Sequence, residues 1–323
     1  MGDADNTIRC LVWGVHSQLP LFQAATEVDD FVINLVGGPL PEDTRELSEA
    51  LDVTPLDDLR TGLLSNEWDV AWLAAPGCLD ADLRQLIRGL DRPVATSTPP
   101  ADSVQNLMSE TEEGQRATFI PLMRLGRPFR GAEQVLENFG VKHSGHIEMI
   151  AGGDGVTSAS LLYDAMDLAF GLFGMPDNLF AARAGEGVVT GDSRIPLNGH
   201  LVVSLRYPNR CAAAVSIAEG GGQWSRRIVI LGEGGRLIVS DDGVEWLSSD
   251  GDVLDAGRGQ TTDLPAAGEV AAHHLKRLAA DREPTDEIDQ SLETSCLCEA
   301  VRLSCITGQA EDPAHVLRML RKP

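Results

Sequence analysis

The sequence predicts an α/β protein of two domains: an N-terminal domain on a parallel sheet, and a C-terminal α+β domain whose open sheet is largely antiparallel. Three observations predict it. Val70-Ala71-Trp72-Leu73-Ala74-Ala75 is a continuous apolar run, stopped by Pro76-Gly77 and too short for a helix, which suits a strand buried on both faces. Asp80 then caps a helix with Leu83, Leu86, Ile87 and Leu90 at helical spacing, and Pro93-Val94-Ala95-Thr96 begins another strand, completing a strand-helix-strand unit. In the second half, apolar runs over 201–207, 212–218, 226–231 and 236–240 are separated by Pro208-Asn209, Gly220-Gly221-Gly222 and Glu233-Gly234-Gly235, the pattern of successive antiparallel hairpins. A chain of 323 residues is long for one core and comfortable as two.

In chain order, residues 7–13 form the first strand, and Gly14 stands where a Rossmann-like dinucleotide-binding turn begins. The Gly-x-Gly-x-x-Gly pattern of such a turn places its other glycines where His16 and Leu19 stand here. Pro20 suits an early helical position but removes an amide. His16 reads first as a polar residue of a surface turn and second as a contact to a phosphate. The second strand covers 31–36 and ends in Gly37-Gly38-Pro39, where an acid would otherwise hold the ribose hydroxyls. Glu42 and Asp43 read as solvated charges in a Pro-bounded loop. Helices are expected over 44–51 and from Asp57-Asp58-Leu59. A polar helix over 102–113 and a last strand over 117–122 lead to a domain boundary near Met123.

The second domain opens with an amphipathic helix over 132–139 and a strand over 141–150. His146 and Glu148 share one face of that strand while His143 lies on the other, so they read as sheet residues and no metal site is expected. A glycine-rich loop over 151–155 precedes a helix from 158 that continues to Gly174. Leu161, Ala165, Leu168 and Leu172 form its apolar face, and Asp164 and Asp167 a neighbouring one. Two carboxylates three residues apart repel unless a proton, a cation or a helix N-terminus relieves them. They read either as an acid and base pair or as a structural residue, Asp167, beside one facing a water-filled cleft, Asp164. A strand at 244–246 follows Asp241-Asp242-Gly243, and a helix over 268–280 carries His273-His274, which point apart. The last helix, about 291–307, is expected to return to the first domain, giving domains 1–123 and 124–323.

Composition narrows the function classes. The net charge is -23, from 49 acidic and 26 basic residues, so a phosphate backbone is repelled and nucleic acid is not an expected partner. With 43% hydrophobic and 23% charged residues the chain reads as globular, and no apolar run has membrane-spanning length, so no membrane partner is expected either. MGDADNTIRC has no basic region followed by an apolar core, so no secretory leader is expected there and the cytoplasm is the expected location. Cys10, Cys78, Cys211, Cys296, Cys298 and Cys305 lack the Cys-x-x-Cys spacing of a zinc site and read as buried thiols.

Three motifs resemble those of the Gfo/Idh/MocA family, the relatives of glucose-fructose oxidoreductase and inositol dehydrogenase. That family shows Asp-x-Val-x-x-x-Thr-Pro-Asn-x-x-His after one strand. Here the stretch is Asp69 to Asp80, with Pro76 kept, Gly77 in place of the asparagine and Asp80 in place of the histidine. After the next strand the family shows Glu-Lys-Pro with a catalytic lysine, and this chain has Ser97-Thr98-Pro99. On a later helix the family shows Asp-x-Gly-x-His-x-x-Asp, whose histidine acts on the substrate hydroxyl. The corresponding residues are Ser160, Leu162, Asp164 and Asp167.

The resemblance implies a cofactor contact set of Gly14, His16, Ser17, Gln18, Ala75, Pro76, Gly77, Ser97 and Pro99, and catalytic positions at Asp164, Asp167 and Thr98. It implies NAD or NADP as cofactor, with altered use because the glycines and the lysine are replaced. Threonine cannot supply the positive charge that a lysine places beside a developing alkoxide. The leading expectation is a noncatalytic or strongly diverged member that binds a small ligand or a homologous subunit, as a homo-oligomer formed through the C-terminal sheet. The alternative is an NAD(P)-dependent oxidoreductase acting on a sugar or polyol, with Asp164 as base.

Overall fold

The structure, a computed structural model, describes residues 7–99, 117–151, 158–185, 199–219, 221, 224–258, 264–281 and 290–320. The chain divides into two units, Met1–Leu125 with Leu264–Asp289, and Gly126–Asp263 with Gln290–Pro323. The helix expected over 102–113 and most of the glycine-rich loop after 151 lie outside the described residues.

The first unit holds β1 (Ile8–Trp13), β2 (Phe31–Gly37), β3 (Thr54–Pro55), β4 (Val70–Leu73), β5 (Val94–Thr96) and β6 (Thr118–Phe119). They are parallel, in the order β3-β2-β1-β4-β5-β6. All four residues of β4 are buried, as a strand covered on both faces requires. The chain runs outward in both directions from β1, so the carboxyl ends of β1 and β4 flank the topological switch point. The helices Leu59–Leu64 and Ala81–Arg88 begin where Asp58 and Asp80 accept from the Thr61 and Leu83 amides, each at 2.7 Å.

Two expectations for this unit are corrected. The helix after β2 spans Pro41–Leu51, so Glu42 and Asp43 belong to its first turn and not to a loop. Proline needs no amide partner in a first turn, and acidic side chains there complement the helix dipole. The later segment that joins this unit is the helix Leu264–Asp281, not the one near 291–307. Its Ala271, Ala272 and Leu275 share a core with Leu21, Phe22 and Ala25 of the helix Leu19–Thr26. A Cβ on Gly268 would stand 2.1 Å from the Leu21 carbonyl oxygen, so glycine is what allows the two helices to approach.

The second unit is an eight-stranded sheet of β7 (Lys142–Ile150), β8 (Asn178–Ala184), β9 (His200–Arg206), β10 (Ala212–Ala218), β11 (Ser225–Gly232), β12 (Gly235–Ser240), β13 (Gly243–Leu247) and β14 (Val253–Arg258). Its order is β14-β13-β12-β11-β7-β10-β9-β8, antiparallel except for the parallel pair β7 and β10. Successive hairpins are therefore broken once, because β7 lies between β10 and β11. A parallel pair needs a long crossover, and the chain between β7 and β10 supplies it through the helix Ser158–Phe173 and strands β8 and β9. Strand β8 is an addition; its largest side chain, Phe180, faces outward at 46% exposure, which hides the usual alternation.

The helix at the start of the unit begins at Arg127, ahead of residue 132, with Pro128 in its first turn. The helix Ser291–Thr307 packs within this unit, where Ser304 Oγ accepts from the Ala181 amide at 2.9 Å and donates to the Gln309 carbonyl at 2.6 Å. Alternation is clean in β9, where Leu201, Val203 and Leu205 are buried and the residues between them are exposed. Among the described residues no helix is long and apolar enough to cross a membrane.

Candidate functional site

In the first unit, the expected cofactor residues Gly14, His16, Ser17 and Gln18 form one turn beyond β1. Gly14 donates to the Gly37 carbonyl at 2.9 Å, and a Cβ on it would stand 2.4 Å from the Phe22 ring, so the surviving glycine answers to packing. Phe22 in turn meets Trp72 edge-on at 5.3 Å. His16 and Ser17 are exposed within a single 3-10 turn that runs into the helix Leu19–Thr26, where Pro20 occupies the first turn.

The Gly14, Val15, His16 and Gln18 amides of this turn have partners of their own. The Val15 amide donates to Gln18 Oε1 at 3.0 Å, and Gln18 Nε2 donates to the Ala74 carbonyl at 2.9 Å, tying the turn to the end of β4. The His16 amide donates to Asp43 Oδ1 at 2.9 Å, a charge-assisted bond, and His16 Nδ1 lies 3.3 Å from Glu46 Oε2. A Cβ on Gly38 would stand 2.5 Å from Asp43 Cβ, so Gly38 makes room for the carboxylate. The turn does not fit a dinucleotide pyrophosphate as it stands: the position of the second fingerprint glycine, whose backbone a pyrophosphate approaches, faces a carboxylate. Asp43 is the residue that the sequence reading assigned wrongly. The signal that could have found it was Gly37-Gly38 followed by a Pro-initiated helix with an acid in its first turn.

The other expected residues of this unit are placed as follows. Ala75 is buried and its amide, like that of Ala74, donates to the Trp13 carbonyl at 2.9 and 2.8 Å respectively. Pro76 and Gly77 are exposed, Gly77 with φ of 68°. Ser97 Oγ accepts from the Trp72 indole at 2.7 Å, and Pro99 is half-buried. Thr98 is 8% exposed, and its hydroxyl lies 3.0 Å from that of buried Thr96, whose Oγ1 also accepts from the Thr98 amide at 3.1 Å. The Thr98 hydroxyl is thus engaged inside the β5 end.

In the second unit the helix Ser158–Phe173 carries Asp164 and Asp167, and Leu161, Ala165, Leu168 and Leu172 are all buried as its apolar face requires. Glu219 holds the start of this helix, its carboxylate accepting from the amides of Ser158 and Gly199. Lys142 Nζ donates to the Leu172 carbonyl at the other end, and Gly174 follows at φ of 78°. Asp167 is 2% exposed and Asp164 half-buried. Burial, reinforced by the charge of Asp167 and opposed by Arg226, pushes the Asp164 carboxyl up to about 8. The Cys298 thiol is raised by burial and by Asp164.

Arg226 on β11 is buried and ion-paired with Asp241 at 2.7 Å, and the exposed Trp224 indole donates to the same carboxylate at 3.0 Å. At neutral pH Asp164 is mainly the neutral acid, a hydrogen-bond donor that becomes a base as pH rises through 8. Among the described residues no three His, Cys, Asp or Glu side chains gather to hold a metal ion.

Two such units, one with a parallel sheet that has its switch point beside β1 and one with a mixed, mainly antiparallel sheet, define the fold. Solved structures of this type align over nearly the whole chain. An oxidoreductase from Agrobacterium radiobacter, solved with NAD+, L-tartaric acid and magnesium, is 14% identical with a TM-score of 0.76, covering 96% of this chain and 99% of its own. A levoglucosan dehydrogenase solved with NADH and levoglucosan is 12% identical with a TM-score of 0.76, over 94% of this chain and 99% of its own. A myo-inositol dehydrogenase from Corynebacterium glutamicum is 13% identical with a TM-score of 0.72, over 95% and 98%. No family model matches the sequence, and no curated protein does. At these identities the likeness establishes the fold.

Proposed function

We propose that the protein is a diverged relative of the Gfo/Idh/MocA dehydrogenases that binds a small hydroxylated ligand and does not run hydride transfer through a lysine and histidine couple. The observation that carries this reading is Thr98: the position the resemblance gives to the catalytic lysine holds a buried hydroxyl bonded to Thr96, which supplies no positive charge there to stabilise an alkoxide. The protein is read as a homo-oligomer in which the outer face of the second sheet, carrying Phe180, Val202 at 53% exposure and Leu231, meets a second copy. A cytoplasmic location accords with six cysteines of which none is in a disulfide.

The test is a titration with NADH and with NADPH followed by nicotinamide fluorescence, together with turnover assays on sugars and polyols. The reading expects no saturation below millimolar dinucleotide and no turnover. Micromolar saturation with turnover overturns it.

The second reading is an NAD(P)-dependent oxidoreductase on a sugar or polyol, favoured by Asp164. A carboxyl raised to about 8 is suited to take a proton from a bound hydroxyl at mildly alkaline pH. The levoglucosan and inositol dehydrogenases that share the fold support the substrate class. Turnover lost in Asp164→Asn and rising with pH through 8 in the unaltered protein would establish it.

A further inference from the structure

We propose that Asp43 is an internal stand-in for a phosphate: its carboxylate, with the Gln18 carboxamide, seals the turn after β1 against dinucleotides. This deepens the reading of a protein with altered cofactor use and rests on it, but names the residues responsible.

Four features of the first unit converge on the seal. Asp43 Oδ1 accepts the His16 amide at 2.9 Å from the first turn of the helix Pro41–Leu51, where the helix dipole favours a negative charge. Gly38 leaves the space that the Asp43 side chain enters, since a Cβ there would stand 2.5 Å from Asp43 Cβ and 2.6 Å from the Gly14 carbonyl oxygen. The Gly38 amide is itself held by Thr44 Oγ1 at 3.0 Å, so the segment from β2 into the helix is fixed against the turn. Gln18 closes the other side, accepting from Val15 and donating to Ala74, and so spans the switch point between β1 and β4.

A pyrophosphate entering here would have to displace a carboxylate from a charge-assisted bond and then lie beside it. The second carboxylate, Glu46, 3.3 Å from His16 Nδ1, adds to the repulsion. A ligand that approaches this turn is therefore neutral or cationic on that side, as a sugar or polyol is.

The experiment uses the full chain and ADP and NADH as probes, with affinities from calorimetry. Asp43→Asn keeps an acceptor for the His16 amide and removes the charge; Glu42→Gln, an exposed acid on the same helix turn, makes the same change in net charge away from the amide. The expected result is ADP binding tightened by roughly tenfold or more in D43N over both E42Q and the unaltered protein, the scale set by one unit charge beside a phosphate. Equal affinities in D43N and E42Q overturn the seal while the noncatalytic reading stands. Micromolar NADH binding by the unaltered protein that is weakened in D43N overturns both and makes Asp43 a dinucleotide ligand. Micromolar binding that D43N tightens further also overturns both, because the turn then admits a dinucleotide although Asp43 opposes it. Should D43N fail to fold, Gln18→Ala gives the same readout through the Val15 amide, tighter ADP supporting the seal and unchanged ADP opposing it.

Discussion

Replacing Asp164 by asparagine should remove a stability loss that the unaltered protein suffers on going alkaline. The Asp164 carboxyl sits at about 8 when folded, raised by burial and by Asp167, against about 3.9 for an unfolded carboxyl. Between those values the folded chain holds a proton that the unfolded chain has released, so stability falls as pH rises; below the lower value and above the upper one this group adds no slope. The limiting slope for one proton is about 1.4 kcal/mol per pH unit, or about 2.7 kcal/mol between pH 5 and 7. Because Asp164 is half-buried and keeps some solvation, about half of that is expected. Asparagine is nearly isosteric with the protonated acid. The unfolding free energies of D164N and the unaltered protein, from urea denaturation at half-unit steps of pH, should therefore run together below about pH 4 and draw apart above it, the gap widening by about 1–1.5 kcal/mol between pH 5 and pH 7, D164N being the more stable. Parallel curves from pH 5 to 8 would refute the claim that this carboxyl is neutral in the fold. A D164N curve that falls away faster would reverse its sign.

Two further outcomes follow from packing. Gly268→Ala should cost about 1–3 kcal/mol in chemical denaturation, because its Cβ meets the Leu21 carbonyl oxygen and a backbone cannot yield as a side chain does; a change under about 0.5 kcal/mol would mean the two helices part easily. Val202→Arg on the outer face of β9 should convert a dimer to a monomer in light scattering at micromolar concentration, and identical masses for both proteins would exclude that face as the contact.

Much of the fold was legible because it follows from local chemistry. The unbroken apolar run of β4, the cap at Asp80, the helix opening at Asp57-Asp58-Leu59, and the helix running up to Gly174 each depend on residues within a few positions of one another. The insertion of β7 between β10 and β11 could not be seen in that way, since hairpin turns and crossover ends share the same glycines. Nor could the exchange of roles between the two C-terminal helices. Both are apolar enough to pack, and the choice rests on Gly268 matching the helix Leu19–Thr26 across nearly the whole chain. At the site, the identities of His16, Leu19 and Thr98 at the positions the resemblance assigns were visible. The contacts they make were not.

The sequence alone thus determined the kind of elements, the order of the main ones, and which chemical groups stand at the two motif positions, because periodicity, caps and residue identity are local properties. Tertiary structure alone decided that Asp43 lies on the His16 amide, that the Thr98 hydroxyl turns to Thr96, and that burial beside Asp167 raises the Asp164 carboxyl. Hydrogen-bond partners and burial are set by segments tens of residues apart, and a side chain's charge and direction are fixed only when those segments meet.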